Sequence, residues 1–212
     1  MSGCLCRDCR RARLRLTDPR CAVCGQPYGG VVPGAFRCMN CGDLELAFDF
    51  ATAAYRSRGP VRELIHQFKY RGRMHLRHLL GRMLWEGFRD PRLQALRLDA
   101  LVPVPLHPTR RREREFNQAE VLAGLAGARL GLPVIEALRR TRYTLTQTNF
   151  HRDERFANLG DAFAPRPGVE VKGQTLALID DVLTTGSTAD ACARTLRESG
   201  AAAVVVITVA RG

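Results

Sequence analysis

Hydrophobic and polar residues alternate along this chain in two distinct periods. Short unbroken apolar runs, at Asp99 to Leu106, Thr175 to Ile179 and Ala202 to Ala210, are too short for helices and suit buried strands. Leu46 to Tyr55, Val134 to Leu138 and Gly160 to Phe163 are weaker strand segments. Between them the spacing becomes helical. Pro60 opens a helix over Val61 to Phe68 that ends near Gly72 and puts Leu64, Ile65 and Phe68 on one face. A second helix, about Met74 to Phe88, carries Leu76, Leu79, Leu80, Met83 and Leu84. Ala119 to Leu130 and Ala189 to Ser199 are two more. Strands that alternate with helices predict an α/β domain over residues 46–212, with a mostly parallel sheet flanked by helices. Residues 1–45 lack a comparable apolar pattern and form a separate small module.

Chemistry concentrates where the Thr175 to Ile179 strand ends. Two adjacent acids, Asp180 and Asp181, are followed by Thr184-Thr185-Gly186-Ser187-Thr188, with Ser187 or Thr188 placed to cap the next helix. Backbone N–H groups of a tight Gly-containing turn at a helix start form an anion site, and the four hydroxyls add donors. The acids suit sugar hydroxyls or a hydrated Mg²⁺. A phosphate, two hydroxyls and a magnesium ion together describe 5-phosphoribosyl 1-pyrophosphate (PRPP). Capping alone explains one or two hydroxyls, not this whole set at fixed offsets.

Cysteine changes the picture of the first 45 residues. Seven of the eight cysteines lie there, and six form Cys-x-x-Cys knuckles: Cys6/Cys9, Cys21/Cys24 and Cys38/Cys41. Two such pairs complete a tetrahedral Cys₄ zinc site. A bound Zn²⁺ supplies folding energy that so core-poor a segment lacks. Three pairs do not divide into four-ligand sites, so the spacing leaves open which two share the metal. Cys4 with Cys21 and Cys24 would make a second, imperfect site. Cys192, inside the last helix, reads as a core residue.

The net charge of +12 and the pI near 10.1 favour an anionic substrate or a polyanionic partner. Only Lys69 and Lys172 are lysines; arginine supplies the rest and holds phosphates bidentately. No apolar run reaches the length of a membrane span and no signal core is present, so a cytoplasmic protein without membrane insertion is expected. His107 to Gln118 reads as a basic loop between a strand end and a helix, again an anion-facing place in an α/β sheet. Arg139 to Arg155 is polar enough to serve as a lid. His66, His75 and His78 have no metal-spaced partners and read as surface residues.

The stretch Ile179-Asp180-Asp181-Val182-Leu183-Thr184-Thr185-Gly186-Ser187-Thr188 resembles the PRPP signature of type I phosphoribosyltransferases without departure. The resemblance implies that Thr184, Thr185, Gly186, Ser187 and Thr188 hold the 5′-phosphate while Asp180 and Asp181 hold the ribose. The chain as a whole resembles the ComF family (competence-associated and GntX-like proteins). It shares a cysteine-knuckle start, the Leu64 to Gly72 stretch, Val102 to Gln118 with its Phe-Asn-Gln box, and Arg142, Gln147, Arg155, Asn158, Ala162 and Phe163. Family membership implies a type I phosphoribosyltransferase fold with an N-terminal zinc module, Mg²⁺ with PRPP, and a link to DNA uptake in transformation. Lys69 and Arg114 then become candidates for the departing diphosphate. Two readings stay open: transfer of the phosphoribosyl group to an unidentified acceptor, or a non-catalytic protein that binds single-stranded DNA among other DNA-uptake proteins. Phe68, Tyr70 and Phe116, beside Lys69, Arg71 and Arg114, are the base-stacking candidates, and a place in the core is the competing reading of Phe68 and Phe116. Two departures stand out. Glu115 occupies the family's glycine, which implies an altered loop backbone. The family's usual four cysteine pairs are three here, which implies a lost site or a start that lies upstream. An alternating pairing carried over from the family would join Cys6/Cys9 with Cys38/Cys41.

Overall fold

The computed structural model describes residues 15–42, 44–143 and 161–212. Strands β1 (Phe50–Arg56), β2 (Ala100–Pro103), β5 (Thr175–Leu183) and β6 (Ala203–Arg211) form one sheet in the order β1-β6-β5-β2, with every neighbouring pair parallel. A two-stranded antiparallel sheet joins β3 (Leu138–Arg140) to β4 (Phe163–Pro165). The expected α/β class, a parallel sheet flanked by helices, is what the chain adopts.

Parallel strands covered on both faces need apolar residues at nearly every position. β5 and β6 meet that need and sort their side chains by parity. Leu176, Leu178, Val204 and Val206 enter one core; Ala177, Ile179, Val205 and Ile207 enter the other. Past the one-turn α1 (Met39–Gly42), the second core is closed by α2 (Gly59–Tyr70), α3 (Arg77–Gly87, preceded by a 3₁₀ turn at Met74–Leu76), the one-turn α4 (Pro91–Gln94, through Leu93) and α6 (Gln118–Leu130). Leu64, Ile65, Phe68, Leu80, Met83 and Leu84 point inward as the periodicity predicts. The first core is closed by α7 (Ser187–Glu198), β3, β4 and the cysteine segment, which contributes Cys21, Cys24 and Cys41 directly. That segment also lies along the edge strand. The amides of Leu16 and Ala51 donate to Ala54 and Val23 across the junction, at 2.9 and 2.7 Å.

Several expectations change in detail. The basic loop is a helix, α5 (Pro108–Arg114). Pro108 sits in its first turn, His107 Nδ1 accepts from the Thr109 amide at 3.3 Å, and arginine is a strong helix former. Val134 to Leu138 yields only a bridge from Val134 to Leu101, and the strand proper begins at Leu138. Most of the expected lid lies outside the described residues, as do Gln147, Arg155 and Asn158.

Candidate functional site

β5 outruns β2. Their pairing ends at Pro103–Ile179, and the Val104 amide makes one further bond to the Ile179 carbonyl at 3.0 Å. Beyond that point the two chains diverge, and a cavity of about 1080 Å³ opens at the strands' C-terminal ends, the ligand-binding edge of an open α/β sheet. Asp180, Asp181, Thr184, Thr185, Ser187, Thr188, Lys69 and Arg114 all line it. The volume is at the upper end for small-ligand sites, roughly 300–1,000 Å³, enough for two reactants.

Asp181 is 3% exposed at its side chain and Lys69 23%, and Lys69 Nζ lies 2.6 Å from Asp181 Oδ2. Asp180 Oδ1 accepts from the Asp181 amide at 2.8 Å. Burial, and then the neighbouring Asp181 carboxylate, push Asp180 up from 3.8 to about 8 against the pull of Lys69. Burial works against the Lys69 charge, yet Asp181 and Asp180 outweigh it and raise its pKa. Two crowded carboxylates relieved by one ammonium form a donor set that fits a divalent cation.

The turn after Leu183 is closed by Gly186 at φ 89°, a left-handed conformation that glycine adopts without strain. Gly186 itself is the N-cap of α7; neither Ser187 nor Thr188 caps it, and the helix has no side-chain cap. The expected capping role is therefore corrected. The turn has positive φ at the cap position, which suits Gly186 rather than a hydroxyl residue. Thr185 Oγ1 and Ser187 Oγ lie 3.0 Å apart instead, two hydroxyls clustered at a helix start whose dipole attracts anions.

The opposite wall is cationic and comes from distant segments. Arg110 and Arg114, one turn apart on α5, both face the cavity, while Arg111 is turned away onto Glu120 at 2.7 Å. Arg114 lies over the Tyr70 ring at 4.7 Å and donates to its hydroxyl at 3.1 Å. Arg110 lies 5.6 Å from the Tyr143 ring centroid. Tyr70 and Tyr143 are exposed by 57% and 43%. Of the three stacking candidates only Tyr70 is exposed, with Arg114 and His66 against its ring. Phe68 is buried and packs against Phe116 at 5.1 Å, because both belong to the second core. Arg62, Arg140, Tyr143 and Gln118 also line the cavity. Gln118 is 3% exposed, and its Nε2 has no hydrogen-bond partner among the described residues. Arg110 and Arg114 at i, i+4 were a readable signal for a shared face; Arg62 and Arg140 carried none. His66, His75 and His78 are exposed, as expected.

Glu115 is the one non-glycine residue at positive φ among the described residues, at φ 65° and ψ −15°. Glu115 takes the left-handed conformation a glycine would serve, as the C-cap of α5.

A second cluster lies behind the turn. The sulfurs of Cys21, Cys24, Cys38 and Cys41 all fall within 4.8 Å of one another, with Cys24 and Cys38 3.6 Å apart. That compares with about 3.8 Å between ligands of a tetrahedral Zn–S₄ centre at 2.3 Å bonds. The Cys38 amide donates to Cys21 Sγ at 3.3 Å. Burial opposes ionising Cys21, but N–H groups of Cys24, Cys38 and Val23 bring it down to about 7. Burial and then Cys24 push Cys38 up to about 11, and the same two causes raise Cys41. Four thiols so crowded ionise together only around a cation, so the set fits a structural metal such as Zn²⁺. The alternating pairing of Cys38/Cys41 with Cys6/Cys9 is corrected. The Ala22 amide bonds the Phe36 carbonyl at 2.8 Å and draws the second and third knuckles together. Cys4, Cys6 and Cys9 lie outside the described residues. Cys192 is fully buried in the first core, as expected.

No protein-family model matches the chain. Competence protein F of Haemophilus influenzae is 31% identical over 211 residues, covering 98% of this chain and 90% of that protein. The DNA utilization protein YhgH of Escherichia coli is 34% identical over 205 residues, covering 95% and 88%. Competence protein ComFC of Bacillus subtilis is 27% identical over 207 residues, covering 95% and 81%. Among solved structures, a glutamine PRPP amidotransferase from B. subtilis aligns over 61% of this chain with a TM-score of 0.40 and 24% identity. The chain spans 25% of that enzyme's length. No helix among the described residues is long and apolar enough to cross a membrane.

Proposed function

The chain belongs to the competence protein F family, and from that premise we propose that it is a Mg²⁺-dependent, PRPP-binding phosphoribosyltransferase-like protein serving DNA uptake. The observation that carries this reading is the convergence on one cavity of an acid pair with Asp181 buried, a hydroxyl-lined turn and a helix start without a side-chain cap. The Thr184–Thr188 turn would take the 5′-phosphate through backbone N–H groups and hydroxyls. Asp180 and Asp181 would hold the ribose hydroxyls and Mg²⁺, which supplies charge neutralisation for the diphosphate when bound. Lys69 would leave Asp181 as that cation arrives and turn to the diphosphate with Arg114. As the bond from the sugar to diphosphate weakens, positive charge develops on the sugar. The nearby carboxylates stabilise it, so no protein nucleophile is needed.

The exposed Tyr70–Arg114 and Tyr143–Arg110 pairs favour a second role for the mouth of the cavity. Aromatic faces backed by guanidinium groups suit the bases and phosphates of single-stranded DNA. In that reading the protein binds DNA without turning over PRPP.

Calorimetric titration of the metal-replete protein with PRPP, with and without Mg²⁺, separates the two. Magnesium-dependent binding, lost in Asp180→Asn/Asp181→Asn, is expected. No binding by folded protein would remove the PRPP reading and leave the DNA reading in its place.

A further inference from the structure

Arg211 ends β6, between the ends of β5 and β1. It is 5% exposed, and a buried guanidinium must place all its donors. Toward the cysteine cluster, Nε donates to the Cys24 carbonyl at 2.9 Å and Nη2 to Cys24 Sγ at 3.5 Å. Toward the cavity, Nη1 donates to the Leu183 and Thr184 carbonyls at 3.1 and 2.6 Å, and to the Gly212 carbonyl. Its partners are carbonyl oxygens and one sulfur; no aspartate or glutamate pairs with it among the described residues.

One planar group thus grips a cysteine of the candidate metal centre with one edge and the first residue of the candidate phosphate turn with the other. The guanidinium fork is rigid, so a displacement of Cys24 is carried to Thr184 rather than absorbed. A sulfur bound to a divalent metal carries negative charge and accepts from a cation more strongly than a neutral thiol does. The backbone reinforces the link, since the Gly212 amide bonds the Leu183 carbonyl at 2.8 Å and the Ser57 amide bonds the Arg211 carbonyl at 2.7 Å.

We propose that Arg211 is a positioning residue that couples the cysteine-held metal to the Thr184–Thr188 turn, so that metal loading orders the turn and an anion on the turn tightens metal retention. The second half rests on the PRPP reading above; the first half does not. Linkage makes the two effects reciprocal.

Amide hydrogen exchange of the full chain, zinc-loaded and chelator-stripped, tests the first half. Stripping is expected to speed exchange across 184–188 by about 5-fold or more while the α3 amides stay protected. Zinc-loaded Arg211→Lys, which keeps the charge and loses the fork, should exchange as fast in the turn as the stripped protein. Equal protection of the turn with and without zinc would overturn the proposal, as would wild-type protection in zinc-loaded Arg211→Lys. If stripping opens α3 as well, the zinc-loaded variant decides; if the variant does not fold, the wild-type comparison decides. The second half is read from zinc release to a chromogenic chelator, which saturating Mg²⁺–PRPP should slow in the wild type and not in Arg211→Lys. Should PRPP fail to bind in the calorimeter, the functional reading falls while the exchange result stands. Should PRPP bind and release be unchanged, the coupling falls and the functional reading stands.

Discussion

The two walls of the cavity are built in opposite ways. The acid and hydroxyl wall, Asp180 to Thr188, is one uninterrupted stretch that leaves the sheet, turns at Gly186 and enters α7. The cationic wall is gathered from α2, α5 and the segment after β3, residues far apart in sequence. The first wall is anchored in the sheet: Asp181 is nearly inaccessible, and its strand is hydrogen-bonded into the sheet through Leu183. The second wall is partly exposed, and Arg110 and Arg114 lie against tyrosine rings. A fixed acid wall suits one ligand held in one pose. A pliable cationic wall suits anions of varying shape. If that contrast holds, substitutions on the two walls must affect different ligands.

The largest effect is expected on the acid side. Asp180→Asn/Asp181→Asn removes at least two charge-assisted hydrogen bonds, each worth about 1.5–3 kcal/mol, so Mg²⁺–PRPP affinity should fall by about 100-fold or more while single-strand affinity stays within about twofold. A parallel fall of both in titrations would mean that the walls bind one ligand together. On the cationic side, Arg110→Ala and Arg114→Ala should each weaken single-stranded DNA binding about tenfold. Each should also flatten the salt dependence by about 0.7 in slope for every phosphate that the arginine neutralises in the wild type. An unchanged slope would show that these arginines do not touch phosphate.

The acid wall was legible in the sequence because a strand–turn–helix brings neighbours in the chain together in space. The aligned hydroxyls and acids need no tertiary knowledge to be placed at one point. What the sequence could not supply is parity and partnership. That Lys69 sits on Asp181, 2.6 Å away, depends on how α2 lies across β5. That Arg110 and Arg114 share one face and Arg111 another was readable from their spacing once Pro108 to Arg114 is taken as a helix rather than a loop, but which face meets the cavity was not. The cysteine pairing failed for the same reason. Knuckle spacing fixes each pair's reach but not which pair folds onto which, and the bridge from Cys21 to Phe36 decides it. The cap failed because positive φ overrode side-chain preference.

A smaller effect separates the walls by pH. In the ligand-free protein Asp180 is raised from 3.8 to about 8, by burial first and Asp181 second. Between those values the folded chain holds a proton that the unfolded chain releases, so stability falls as pH rises through that window and levels off above it. Magnesium-dependent PRPP binding, which needs the ionised carboxylate, should strengthen over the same range. Asp180→Asn should flatten the melting-temperature profile between about pH 5 and 8, and a profile as steep as the wild type's would assign the slope to another group. In a His66→Gln background, which removes the imidazole that lines the cavity beside Tyr70, single-strand binding at fixed ionic strength should stay level.

The smallest effect concerns Glu115, where backbone and side chain pull apart. Its left-handed φ of 65° costs a non-glycine residue about 1–2 kcal/mol. Glycine would remove that strain but would add freedom to the unfolded chain worth about 0.4–1 kcal/mol. Glu115→Gly should therefore stabilise the protein by a net of about 0.5–1 kcal/mol, read as a higher denaturant midpoint at unchanged slope. It also deletes a carboxylate next in sequence to Arg114, which should tighten anion binding at the cationic wall by about twofold and leave the acid wall untouched. A drop in stability would mean that the Glu115 side chain holds the end of α5 in place. The cationic wall would then be as firmly built as the acid one, and the contrast between them would rest on charge alone.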